Sequence, residues 1–230
     1  MKNTGILLFA LLLSQYTAIA QNDCSAFYPF TKGSTSEITS YDNKGKPAAT
    51  VDYAVTEVKQ SGGKEIATIS ASIKDADGKP IADTTYDMSC DGETISLDFK
   101  SMVNPQVFEQ YKDMDVKMSG TNLEFPNNLS QGQTLPDASL QIQISMGGVK
   151  INMDTTIKNR KVEGTENITT PAGSFDCYVI TYDSAIKAAG INQMTQGKQW
   201  ISKGVGMVKQ ENYNKKGKIA GSSMLTKFSR

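Results

Sequence analysis

Val51-Asp52-Tyr53-Ala54-Val55-Thr56-Glu57-Val58 decides the fold class. Successive side chains of an extended chain point to opposite faces. Val51, Tyr53, Val55 and Glu57 therefore share one face, and Asp52, Ala54, Thr56 and Val58 the other. The same period of two recurs on both sides of this stretch. Ile66 to Ile73, Ile81 to Met88, Thr94 to Phe99 and Leu140 to Met146 carry it. So do Val149 to Ile157, Phe175 to Tyr182, Val205 to Tyr213 and Ile219 to Phe228.

Turn chemistry separates these runs. Asn43-Lys44-Gly45-Lys46, Ala76-Asp77-Gly78-Lys79, Cys90-Asp91-Gly92 and Lys215-Lys216-Gly217-Lys218 each supply a Gly where a tight hairpin needs positive φ. Gly62-Gly63 and Gly147-Gly148 read as further hairpin turns. The recurring Gly-Lys pair fits an internal repeat and a set of similar hairpins equally well. The expected architecture is mainly β: a single curved antiparallel sheet, an open or half barrel, with one short helix. That helix is placed at Pro105 to Tyr111, where Asn104-Pro105 makes a helix start. Asp183 to Ala189 is read as a single helical turn. Met114, Val116 and Met118 alternate with Asp113, Asp115 and Lys117, a strand whose acids lie on its wet face.

The N-terminus reads as an address. Lys2 is followed by the apolar run Ile6 to Leu13 and by Ala18-Ile19-Ala20, a small-x-small cleavage pattern. Residues 1–20 are therefore expected to be a secretory signal peptide, and residues 21–230 a single β domain. Asn22-Asp23 before Cys24 argues against a lipid anchor there. No later apolar run is long enough for a membrane span. The expected location is the periplasm or the extracellular space, with the chain soluble after cleavage.

Composition narrows the function. Of 230 residues, 24 are Lys or Arg, 24 are Asp or Glu, and none is His. The balanced charge favours neither nucleic acid nor an anionic surface. Without His there is no imidazole base, no Ser-His or Cys-His pair and no His ligand for zinc. No Gly-rich phosphate loop is present. Asp75-Ala76-Asp77-Gly78 starts like a calcium loop but lacks the later oxygen ligands and closing Glu, so it reads as a hairpin. The expectation is no catalytic residue, no metal site, no cofactor and no enzyme.

Three cysteines, Cys24, Cys90 and Cys177, meet an oxidising compartment after export. Cys177 lies in the strand-like Phe175-Asp176-Cys177-Tyr178-Val179-Ile180 and reads as a small buried hydrophobe. Cys24 sits where tethering a new N-terminus is useful, and Cys90 ends a strand. Those positions favour a Cys24–Cys90 bridge, although sequence alone allows three pairings.

Three stretches together resemble one family. They are Phe27-Tyr28-Pro29-Phe30-Thr31-Lys32-Gly33, Thr169-Thr170-Pro171-Ala172-Gly173-Ser174-Phe175-Asp176-Cys177-Tyr178 and Trp200-Ile201-Ser202-Lys203-Gly204-Val205-Gly206-Met207-Val208-Lys209. The resemblance is to the TapB-like family of exported bacterial proteins of unknown function. It implies an antiparallel sheet strongly curved into an open barrel. More distantly, the chain resembles the half-barrels of the LolA and LolB lipoprotein carriers. No catalytic residues are implied.

Two functions fit a curved sheet so sparsely covered. One is an envelope protein that holds a lipid or other apolar ligand on the concave face, with Met residues lending adaptability. The other is an envelope protein–protein interaction module using a face or edge of the sheet, against which the Lys-rich hairpins argue mildly. Trp200, the only Trp, is either a core anchor or a residue at the rim of that concave face.

Overall fold

A computed structural model describes residues 24–102, 114–146, 149–188 and 190–230. The strands are β1 (Thr35–Asp42), β2 (Pro47–Ser61), β3 (Lys64–Asp75), β4 (Pro80–Cys90), β5 (Thr94–Leu97), β6 (Asp115–Thr121) and β7 (Leu123–Pro126). They continue as β8 (Ala138–Met146), β9 (Val149–Thr170), β10 (Gly173–Ala188), β11 (Ile191–Ser202), β12 (Gly206–Tyr213) and β13 (Ile219–Ser229). All of them form one antiparallel sheet of 13 strands, in the order β6-β8-β9-β10-β11-β12-β13-β1-β2-β3-β4-β5-β7.

The two edge strands of that order, β6 and β7, are neighbours in sequence, with Asn122 between them. The chain from Asp115 to Pro126 first pairs with β8 at one edge and then with β5 at the other. The sheet is thus nearly closed into a barrel by a covalent link where no ladder joins its edges. Asn122 holds the switch: its Nδ2 donates to Ser96 Oγ (2.9 Å), and its Oδ1 accepts from the Phe99 backbone N–H (3.1 Å). Closure of this kind removes most of the exposed edge that an open sheet would present.

Alternation accounts for which faces are dry. On β3, Ala67, Ile69, Ala71 and Ile73 are buried, while their neighbours in sequence are only partly so. The main core collects Phe27, Phe30, Val55, Ile69, Met88, Ile95, Phe125, Leu135, Val162, Ile180 and Ile201. A second cluster, Leu140, Ile142 and Ile144, packs under Phe99, Val116 and Met153.

One segment expected to be helical is a strand. Asp183 to Ala188 is not a helical turn but part of β10. Its backbone pairs on both sides, Asp183 with Lys158 and Gln196, and Ala188 with Met153 and Ile191. Two ladders satisfy more backbone groups than one isolated turn can. Among the described residues the helical structure is a 3-10 turn at Phe99–Met102. The helix expected at Pro105 to Tyr111 lies outside the described residues, as do the signal segment 1–20 and the turn at Gly147-Gly148. Strands β1 and β7, and most of β11, lack the strong alternation that marks the others and were not expected.

The recurring Gly-Lys hairpins share one geometry. In each, an Asp or Asn side chain closes the loop by accepting from backbone N–H groups two and four residues on. Asp42 accepts from Lys44 and Lys46, Asp75 from Asp77 and Lys79, and Asn214 from Lys216 and Lys218. At Asp75-Ala76-Asp77-Gly78 this is the hairpin turn read from the sequence. Antiparallel order places all three tips at the same end of the barrel.

Candidate functional site

The opposite end is closed by the N-terminal segment. Cys24 is bonded to Cys90 at the end of β4, with Cα atoms 5.9 Å apart, and Cys177 is free and buried. This is the pairing favoured by the sequence. Asn127 reinforces it: its Nδ2 donates to the carbonyls of Cys24 (2.8 Å) and Gly92 (3.0 Å), and its Oδ1 accepts from the Ala26 N–H (2.9 Å). Phe27 is fully buried, its ring edge-on to Tyr178 at 5.6 Å. The Gly204 N–H donates to Ala26 O (3.0 Å), and Tyr28 lies against Gly206. The three stretches that carry the sequence resemblance meet at this plug.

Above the plug is a cavity of about 440 Å³. Tyr28 and Pro29 belong to its floor, and Ile38, Val55, Ile69, Met88, Ile157 and Met207 contribute apolar wall. Polar residues line it as well: hydroxyl-bearing Ser and Thr, the phenols of Tyr53, Tyr86 and Tyr182, the amides of Gln199, Gln210 and Asn212, and the guanidinium of Arg160. Arg160 is the only charged residue among those that line it.

Arg160 reaches the inside through a bulge. Thr181 pairs with Lys161 and Asp183 with Lys158, so Asn159 and Arg160 together face Tyr182. Asn159 takes a positive φ of 54° and its Nδ2 donates to Asp183 Oδ2 (2.8 Å). A bulge adds one residue to a strand and so shifts the alternation beyond it. Ile157 lines the cavity before the bulge, and Arg160 and Val162 are buried after it.

The guanidinium is 1% exposed. Its Nη1 donates to the carbonyls of Glu124 (2.9 Å) and Pro136 (2.7 Å), and its Cζ lies 4.7 Å from the Phe125 ring centre. Its Nη2 has no hydrogen-bond partner. Burial lowers its pKa to about 10, partly offset by the fields of Tyr28, Asp137 and Glu124, so it stays cationic at neutral pH. Burial also raises the phenols: Tyr53 and Tyr182 to about 12, and Tyr28 and Tyr86 further still. The cavity therefore holds one cation and a set of neutral hydroxyls.

Trp200 lies elsewhere. It is buried with Cys177, Val179 and Val208 on the other side of the sheet, while its neighbour Gln199 lines the cavity. Its indole N–H is not free: it donates to Glu166 Oε2 (2.7 Å), and Lys198 and Lys209 stand 4.6 and 4.7 Å from the ring centre. The core-anchor reading holds and the cavity-rim reading does not. Sequence reasoning missed Arg160. Its only signal is a cation between the apolar runs Ile151–Ile157 and the Val162 region, where strict alternation breaks.

Residues 31–225 match the model of the family described as DUF3108-like. The chain belongs to the DUF3108-like family. Its fold recurs in a candidate exported protein with a YmcC-like fold from Bacteroides fragilis, at 22% identity and a TM-score of 0.74. It recurs also in a candidate lipoprotein from Parabacteroides distasonis, at 25% identity and a TM-score of 0.72. Each comparison covers 90% of this chain and 100% of the other. No curated protein matches. For this DUF3108-like chain, no helix among the described residues is long and apolar enough to cross a membrane. No group of three His, Cys, Asp or Glu residues among them could hold a metal ion.

Proposed function

We propose that this DUF3108-like protein is an exported cell-envelope protein that holds an apolar ligand or lipid inside its barrel, without catalysing a reaction. The cavity above the plug carries the reading. Its volume falls within the range of about 300–1,000 Å³ usual for small-molecule sites, and its walls combine apolar side chains with hydroxyls, amides and one guanidinium. The absence of His, together with phenols held neutral by burial, supports binding over acid–base chemistry. An envelope location is supported by the signal-like N-terminus and by the Parabacteroides protein of the same fold, a candidate lipoprotein. An interaction module has less support: of the three exposed large apolar residues among the described residues, Met194 and Ile219 lie on β11 and β13, which are not neighbours in the sheet, and Ile186 on β10 lines the cavity.

The test is a neutral apolar fluorophore, N-phenyl-1-naphthylamine. It should brighten in the wild-type protein. Ser184→Trp, which places a large ring on a small cavity-lining residue, should abolish the signal while circular dichroism stays unchanged. Equal brightening in both proteins would remove the cavity as the binding site.

A further inference from the structure

We propose that Arg160 anchors the acidic head of an amphiphilic ligand, a long-chain carboxylate whose tail lies along the apolar wall. The inference rests on the cavity reading above and specifies its ligand. Among the described residues, two buried side-chain polar atoms lack a hydrogen-bond partner: Arg160 Nη2 and Ser34 Oγ. Both residues line this cavity. A buried donor left without a partner costs about 1–3 kcal/mol, and more for a charged group. An unpartnered charged donor on a residue that borders a cavity gives a ligand there a reason to bind.

The chemistry of that partner follows from the surroundings. Arg160 already satisfies two backbone carbonyls with Nη1, so the free nitrogen adds a donor without loosening the side chain. No carboxylate lies within ion-pair distance of it among the described residues, and no other cavity-lining residue is charged. The more distant Asp137 and Glu124 offset the charge only in part, and Nη2 keeps a donor that a ligand can use. A buried guanidinium prefers a planar oxyanion that can take a short, charge-assisted hydrogen bond. The apolar wall beyond, with Ile38, Val55, Ile69 and Ile157, suits an acyl tail. A wholly neutral hydrocarbon would leave Nη2 without a partner.

The decisive experiment compares palmitate, methyl palmitate and acetate as displacers of the neutral fluorophore, with wild-type protein, Arg160→Gln and Arg160→Lys. Palmitate should compete about 10- to 100-fold better than its methyl ester, the worth of a charge-assisted hydrogen bond. Acetate should not compete, since it has the head without the tail. Arg160→Gln should erase the preference for the acid, and Arg160→Lys should keep part of it. Equal displacement by acid and ester, or a preference that survives in Arg160→Gln, overturns the anchor and leaves the cavity reading intact. Failure of both palmitate and its ester to displace the probe overturns the two together. Should Arg160→Gln fail to fold, palmitate labelled with carbon-13 at its carboxyl decides the matter in the wild-type protein. A carboxyl resonance that stays ionised to lower pH when bound supports the pair. One that titrates higher than free palmitate refutes it.

Discussion

The ring of Tyr28 lies so close over Gly206 that a Cβ there would stand 2.7 Å from ring atoms Cδ1 and Cε1. Gly206 also adopts a φ of 90°. Gly206→Ala therefore meets two penalties, a strained backbone and an overfilled plug, and should cost about 2–4 kcal/mol in urea unfolding. Gly217→Ala serves as the control. It has a φ of 70° with nothing within 4 Å of its would-be Cβ, and should cost about 1–2 kcal/mol. Equal losses would mean that Tyr28 yields without resistance.

The Cys24–Cys90 bridge spans 66 residues and ties the plug to β4. Chain-entropy reasoning assigns such a loop about 4 kcal/mol. Cys24→Ser with Cys90→Ser should lower stability by up to that amount, read as a shift in the urea midpoint. Burial pushes the Cys177 thiol up to about 11. In the native protein at neutral pH it should resist Ellman's reagent, and one thiol per chain should react after unfolding without reductant.

Trp200→Ala should cost about 3–5 kcal/mol, because the ring fills the cluster formed by Cys177, Val179 and Val208. Affinity for a cavity probe should stay within twofold of wild type in whatever fraction folds. Native Trp fluorescence should be blue-shifted and should not respond to that probe. A ligand-dependent shift in emission would place the ring nearer the cavity than the sheet geometry allows.

Hydrogen bonds from Lys227 and then Thr226 hold the Glu37 carboxylate below its usual pKa of 4.5. A depressed carboxylate contributes stability above its unfolded pKa and loses it as pH falls through the folded value. Acid should therefore weaken the β1–β13 seam below pH 4.5, and Glu37→Gln should flatten the stability profile in that window. An unchanged slope in Glu37→Gln would show that solvent screens the pair.

Asn122→Ala removes both hydrogen bonds at the point where the chain crosses from one sheet edge to the other. A cost of about 1–3 kcal/mol is expected. Hydrogen exchange should rise in β6 and β7 before it rises in β2 and β3, which pair along their whole lengths. Uniform exchange across the four strands would show that Asn122 is not the pivot.

What the sequence determined by itself is local. A period of two in Val51–Val58, Ile66–Ile73 and Ile81–Met88 leaves the backbone one way to bury its apolar side chains, so strands follow. Gly-Lys turns bounded by Asp or Asn then force hairpins. The positions of Cys24, Cys90 and Cys177 favoured the bridge that is found. Asp183–Ala188 was misread because Ala and Lys weaken alternation, and only pairing on both sides makes that segment a strand. Two further features lay beyond any local pattern. The switch of β6 into β7 depends on how far 13 twisted strands curl before their edges meet, which no single strand encodes. The inward turn of Arg160 depends on one extra residue at Asn159, opposite Tyr182, and register exists only once β9 and β10 are paired. Tertiary structure alone therefore decided that the barrel is nearly closed, and that a cation stands inside it.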